Sequence, residues 1–151
     1  MAILSQKKLL DLIDDDRVKT AIVAAERQTS GEIRVSVSRF FWGNVRRAAE
    51  KAFTRMGMRA TRERNSILFF IVPSRRAFAI IGDEGIHQKV GQDFWNRLAA
   101  AMSVDFLAGK FTDGLIRGIE EAGGSLGVHF PYQGEKDVNE LSDDIDYGNK
   151  E

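Results

Sequence analysis

Apolar positions along this chain recur at two different spacings, and the switches between them mark out the elements. Leu9, Leu12 and Ile13 follow Ser5 as one helical stripe, and Val18, Ala21, Ile22 and Ala25 form a second beyond Asp14, Asp15 and Asp16. They predict one kinked helix or two abutting ones, capped at Ser5 and ending near Gln28. Between Glu32 and Ser38 the period falls to two: Ile33, Val35 and Val37 alternate with Arg34, Ser36 and Ser38, as in a half-buried strand. Val45, Ala48, Ala49, Ala52, Phe53 and Met56 return to helical spacing and predict an amphipathic helix over 44–57. From Ile67 to Val72 the alternation disappears. This run is apolar throughout and rich in β-branched and aromatic residues, the pattern of a central strand buried on both faces. Pro73, Ser74, Arg75 and Arg76 interrupt it before Ala77 to Ile81 turns apolar again, so the two runs read as an antiparallel hairpin. Phe94, Leu98 and Met102 predict a helix from about Gln92 to Ser103. Leu115, Ile119 and Ala122 predict a last one from about Thr112 to Leu126, capped by Thr112 or Asp113.

The order of these elements restricts their topology. A strand, a helix and a second strand in succession imply a parallel pair joined by a right-handed crossover, and the hairpin strand then runs antiparallel to its neighbour. The expected fold class is α/β, a mixed sheet with helices around it. One geometric consequence follows. Gly82, Asp83, Glu84 and Gly85, an acidic loop at the exit of the third strand, fall at the same edge as the beginnings of the first two, where Thr29, Ser30, Glu32 and Asn65 stand. Three carboxylates, one amide and two hydroxyls thus converge on one rim.

Composition narrows the chemistry. A length of 151 residues supports one ordinary core, so a single domain is expected over 1–130, followed by an acidic, flexible tail over 131–151. Lys plus Arg and Asp plus Glu both number 22, but from Glu135 to Glu151 seven acids face two bases, leaving a net charge of +5 on the body. The absence of cysteine removes disulfides, thiolate metal sites and cysteine nucleophiles. The first residues lack the apolar core of a signal peptide, and the longest apolar run is far short of the ~20 residues of a membrane span. A cytoplasmic monomer is expected. The basic stripe Arg46, Arg47, Lys51, Arg55, Arg59, Arg62 and Arg64 reads as a solvated face, and no nucleic-acid partner is expected. Phe40, Phe41 and Trp42 form an aromatic knob that either packs on the core, the commoner fate, or stays out as a contact surface.

Oxygen ligands alone suit hard cations, so an ion at the rim would be Ca²⁺ or Mg²⁺ and not zinc. Asp14 to Asp16 point in different directions on a helix and read as helix-start residues. Neither His87 nor His129 has a local arrangement that marks a triad, and no phosphate-cradling glycine loop with its lysine occurs. His87 reads as a surface residue near a helix start.

Four stretches, in order and in spacing, resemble the TPM domain family: Thr29-Ser30-Gly31-Glu32-Ile33-Arg34-Val35, Arg64-Asn65-Ser66-Ile67-Leu68, Phe78-Ala79-Ile80-Ile81-Gly82-Asp83-Glu84-Gly85-Ile86, and Phe106 to Leu115. The likeness covers about residues 5–128. It implies a three-layer α/β/α sandwich with a mixed sheet of about four strands. Plant thylakoid-lumen members are linked to photosystem II repair and acid phosphatase activity, and an animal member is an accessory to acetylcholine receptors. Divalent cation binding is associated with parts of the family. Carried onto this chain, the matching acidic positions are Glu32, Asp83, Glu84 and Asp113, with Asn65 as a polar neighbour. Two functions are therefore expected in competition: a divalent-cation-binding (Ca²⁺ or Mg²⁺) interaction or assembly module with a protein partner, or a metal-dependent phosphatase in which Arg64 or a neighbour holds the phosphate.

Overall fold

The uninterrupted apolar run forms the middle of the sheet. In the computed structural model, which describes residues 12–134 and 141–148, strand β2 (Ser66–Val72) is buried at every position. It pairs in parallel with β1 (Glu32–Val37) and antiparallel with β3 (Ala77–Gly82), in the order β1-β2-β3. The hairpin turns through a single 3-10 turn, Pro73–Arg75, closed by Arg76 in the left-handed region. Helix α1 (Asp15–Glu26) precedes β1, α2 (Val45–Arg55) makes the crossover, and α3 (Glu84–Leu107) and α4 (Phe111–His129) follow β3.

The pleat divides the core in two. Ile33, Val35, Val37, Ile67, Phe69, Ile71 and Ile80 face α1, α3 and α4, whereas Leu68, Phe70, Val72 and Ile81 face α2 with its Ala49, Ala52 and Phe53. Helices cover both faces of a mixed sheet, so the architecture is an α/β/α sandwich. The sheet has three strands among the described residues, not the expected four. Beside the outer edge of β1 lies the C-terminal segment instead. Val37 N–H donates to the Asp146 carbonyl at 2.7 Å and Asp146 N–H donates to the Val35 carbonyl at 2.9 Å. Ile145 is buried and Leu141 packs on the α2 side of the core. A stretch of mean polarity too high to fold alone thus lies along an edge that the sheet leaves open.

Three local differences from the sequence reading have simple causes. Asp14 is the cap of α1, its side chain accepting from Arg17 N–H; the proposed Ser5 cap lies outside the described residues. The acidic loop is a helix start: α3 begins at Glu84, with Asp83 as its cap, and breaks at Gly91 (φ 76°, ψ 172°), so glycines hid the first two turns from the apolar pattern. Neither Thr112 nor Asp113 caps α4. Thr112 Oγ1 accepts from Asp14 N–H and Asp113 pairs with Arg17, tying α4 to α1. Among the described residues no helix is long and apolar enough to cross a membrane.

Candidate functional site

Strand direction assembles the rim. Glu32 is paired in register with Ser66, and Asp83 N–H donates to the Ser66 carbonyl at 2.9 Å, so the three stand in a row at one edge and on the face covered by α2. Two strand spacings separate Glu32 from Asp83, about 10 Å between their backbones. The row therefore has two corners rather than one centre.

At the β3 corner the charge is already matched. Asp83, 5% exposed, accepts from Arg64 Nε at 2.7 Å and Nη2 at 3.0 Å, a two-pronged pair, and its Oδ1 also takes Glu84 N–H at 2.8 Å. Arg64 Nη1 lies 3.3 Å from Glu84 Oε1, and Glu84 is largely exposed. Arg64 is held with φ at +52°, a conformation that L side chains rarely adopt. It is locked there by Gly85, whose N–H donates to the Arg64 carbonyl at 2.8 Å and whose missing Cβ would collide with the carbonyls of Glu63 and Arg64. The guanidinium offered as a phosphate holder is thus the counterion of Asp83.

The β1 corner is neutralised differently. Glu32, 3% exposed, accepts from Leu141 N–H at 2.9 Å. Glu26, at the end of α1, accepts from Ile33 N–H at 2.7 Å. Burial pushes the Glu26 carboxyl up to about 10; a hydrogen bond with Asp143 and the negative charges of Glu32 and Asp143 push the same way. Glu26 consequently keeps its proton at neutral pH. Asn65 adjoins this corner, its carbonyl accepting from Glu32 N–H at 3.4 Å. The residue is 2% exposed, and its Oδ1 is buried without a hydrogen-bond partner among the described groups. Such an acceptor is costly to leave unmatched.

The C-terminal segment seals the corner. Asp146 accepts from Arg55 at 2.7 and 3.1 Å and from Ser36 Oγ at 2.7 Å. Burial alone would raise its carboxyl, but the bonds from Arg55 and Ser36 outweigh it and hold Asp146 below the usual carboxylate range. Lys19 pairs with Asp144 at 2.8 Å, and the Tyr147 hydroxyl donates to Asp15 at 2.8 Å.

Asp113 is not part of this rim. It sits beside Arg17 at the start of α4, and that helix runs its full length before Phe130 reaches the rim, its carbonyl accepting from Ser30 N–H. At 1.5 Å per residue the separation is on the order of 20 Å or more. Glu26 and Asp143 are the residues that sequence reasoning missed. A carboxylate at a helix end just before a Thr-Ser-Gly turn is a weak signal, and Asp143 reaches the corner only through tail docking.

Beyond the β3 corner an open cavity of about 250 Å³ is lined by Arg46, Ile80, Gly82, Glu84, His87, Gln92 and Trp95. Trp95 Nε1–H donates to His87 Nδ1 at 2.9 Å, which leaves the ring proton on Nε2. The indole lies against Gly82, where a Cβ would strike it. Among the described residues no three His, Asp or Glu side chains converge closely enough to cage an ion by themselves.

Comparison with known proteins fits this picture. A family model described as the TPM domain matches residues 3–124. The solved structure of BA42, a protein from the psychrophilic bacterium Bizionia argentinensis, is similar at 34% identity, with 92% of this chain and 94% of that one covered and a TM-score of 0.83. Two N-terminal domains share the fold alone. One, from a P. gingivalis protein, is 17% identical over 87% of this chain and 82% of that one, with a TM-score of 0.63. The other, from the cg2496 protein of Corynebacterium glutamicum, is 13% identical over 88% and 78%, with a TM-score of 0.58. No curated protein matches the chain.

Proposed function

This chain belongs to the TPM domain family, and on that premise we propose that it is a cytoplasmic, monomeric interaction module that takes a hydrated Ca²⁺ or Mg²⁺ at the β1 corner of its rim. The observation that carries the reading is the buried, unmatched Oδ1 of Asn65, a residue whose backbone carbonyl accepts from Glu32 N–H. An amide oxygen and carboxylates are the donor set of a hard cation, and Mg²⁺ in particular binds through one or two carboxylates while retaining water. Glu32 and Asn65 would hold the ion, with Glu26 and Asp143 beside it. Asp83 and Glu84 contribute little, because Arg64 already neutralises them. A bound cation would supply at this corner the positive charge that the Glu26 proton now supplies, and so would order the docked segment whose Leu141 and Asp143 share the site.

Titration with CaCl₂ or MgCl₂, followed by backbone amide shifts, is expected to move Glu32, Asn65 and Leu141 together and to leave Glu84 to His87 still. Glu32→Gln should weaken the midpoint at least tenfold. An unresponsive β1 corner, or a response confined to Asp83 and Glu84, overturns the assignment.

A metal-dependent phosphatase is the second reading, favoured by one observation: the cavity beside the rim presents Arg46, the His87 Nε2–H and Gln92 as donors suited to a phosphate ester. Hydrolysis of an aryl phosphate should then be lost in His87→Ala and Arg46→Ala. Turnover unchanged by both substitutions dismisses it.

A further inference from the structure

The edge of the sheet opposite the acidic rim has the reverse chemistry. Two loops meet there, residues 38–44 leaving β1 and the turn Pro73–Arg75 between β2 and β3, joined by a hydrogen bond from Ser74 Oγ to the Arg39 carbonyl at 3.0 Å. The aromatic run of the first loop divides at this junction. Phe41 lies beneath Arg75, whose guanidinium carbon is 4.5 Å from the ring centre, and packs on the apolar cluster under α2. Trp42 turns the other way and is 83% exposed, its ring set edge-on against Phe40 at 5.6 Å. Core packing, the commoner fate of such residues, is realised at Phe41 and refused at Trp42. Burial of an aromatic side chain returns about 2–3 kcal/mol, so an indole left this far in water marks a surface that is completed by something else.

The surroundings of Trp42 are cationic. Arg39 precedes it, Arg75 and Arg76 stand on the adjoining turn, and Arg47 lies in the first turn of α2, where no acid is present; Arg46 belongs to the cavity by the β3 corner. Arginines at that end of a helix oppose its dipole, so they weaken the helix and strengthen the positive field around the loop. Arg46 has Glu50 at 3.7 Å, and Arg76 donates to the Leu107 carbonyl at 3.3 Å. Formal net charge over the whole chain is zero, so any attraction of anions to this end is local.

We propose that this arginine-ringed tip docks on the anionic headgroups of a lipid bilayer, with Trp42 seated in the interfacial layer. A protein partner would be expected to meet Trp42 within an apolar patch that excludes water around it. Here the indole protrudes among cations, the arrangement that suits a headgroup layer, where its face is buried and its N–H stays hydrated while arginines hold phosphates. Docking in this way leaves the acidic rim, at the other edge of the sheet, facing away from the bilayer. The inference is independent of the cation reading, since the two surfaces share no residue.

The test uses the full chain with vesicles of phosphatidylcholine containing phosphatidylglycerol, vesicles of phosphatidylcholine alone, and soluble polyglutamate. The chain has two tryptophans, and Trp95 is 8% exposed, so a change in emission reports Trp42. Co-sedimentation with the anionic vesicles and a blue shift of emission are expected, both lost at high salt. Trp42→Ser should abolish the shift, and Arg39→Ala with Arg47→Ala should weaken binding roughly fivefold each. No binding to anionic vesicles at low salt overturns the proposal. So does equal binding to phosphatidylcholine alone, or an emission change with polyglutamate and none with vesicles, which would assign the tip to an acidic protein.

Discussion

The two corners of the acidic rim solve the same problem with different means. Each buries a carboxylate at one end of an edge strand, Asp83 at 5% exposure and Glu32 at 3%. At the β3 corner a fixed guanidinium does the neutralising, held by a left-handed Arg64 and the close approach of Gly85. At the β1 corner the neutralising charge is a proton on Glu26, and the enclosure is completed by residues more than a hundred positions away in sequence. The first corner is built from residues 64 to 85, close together in the chain. The second carries an exchangeable proton and is closed by a distant segment, and that difference is what our cation proposal rests on.

The sharpest way to break the contrast is Gly85→Ala. A Cβ at this position meets backbone carbonyls that cannot swing aside, so the substitution should cost about 3 kcal/mol or more in urea unfolding. A loss below about 1 kcal/mol would show that the Arg64 corner is as adaptable as the other.

Removing residues 135–151 tests the second corner. The deletion exposes Ile145's site and returns the Val35 and Val37 backbone groups to water, and it should lower stability by about 2 kcal/mol, several degrees in Tm. An unchanged Tm would mean that the segment is a loose cover. Asp146 adds a sign to this prediction. Because its carboxyl is held below the usual range, its stabilisation is present above the unfolded value and is lost as pH falls through the folded one, so the segment should release in acid.

Glu26→Gln is the mildest change and separates the corners by pH. Folding takes up a proton at Glu26 between its ordinary value of 4.5 and about 10, so stability falls as pH rises through that window. Glutamine mimics the protonated acid, accepting from Ile33 N–H and donating to Asp143. With divalent ions chelated, the variant should be nearly equal to the parent at pH 4.5 and increasingly more stable than it as pH rises to 8, measured by urea unfolding. Parallel pH profiles for the two proteins would remove the proton from the account.

Periodicity was enough to place the strands, the crossover and the hairpin, because burial on one face or both imposes spacings of two, of 3.6 or none, and each is visible in Ile33 to Val37, Ala49 to Phe53 and Ile67 to Val72. Strand direction followed from element order, and with it the alignment of Glu32, Ser66 and Asp83. What was not legible in the chain is which charge meets which. Asp83 is matched by Arg64 through a backbone conformation that no pattern announces, Asp113 is carried to the far end by the length of α4, and the polar 141–148 segment docks through backbone hydrogen bonds and isolated side chains. Apolar spacing is a property of single elements and can be read along one dimension. Pairing between buried charges depends on distances across elements, and those exist only once the chain has folded.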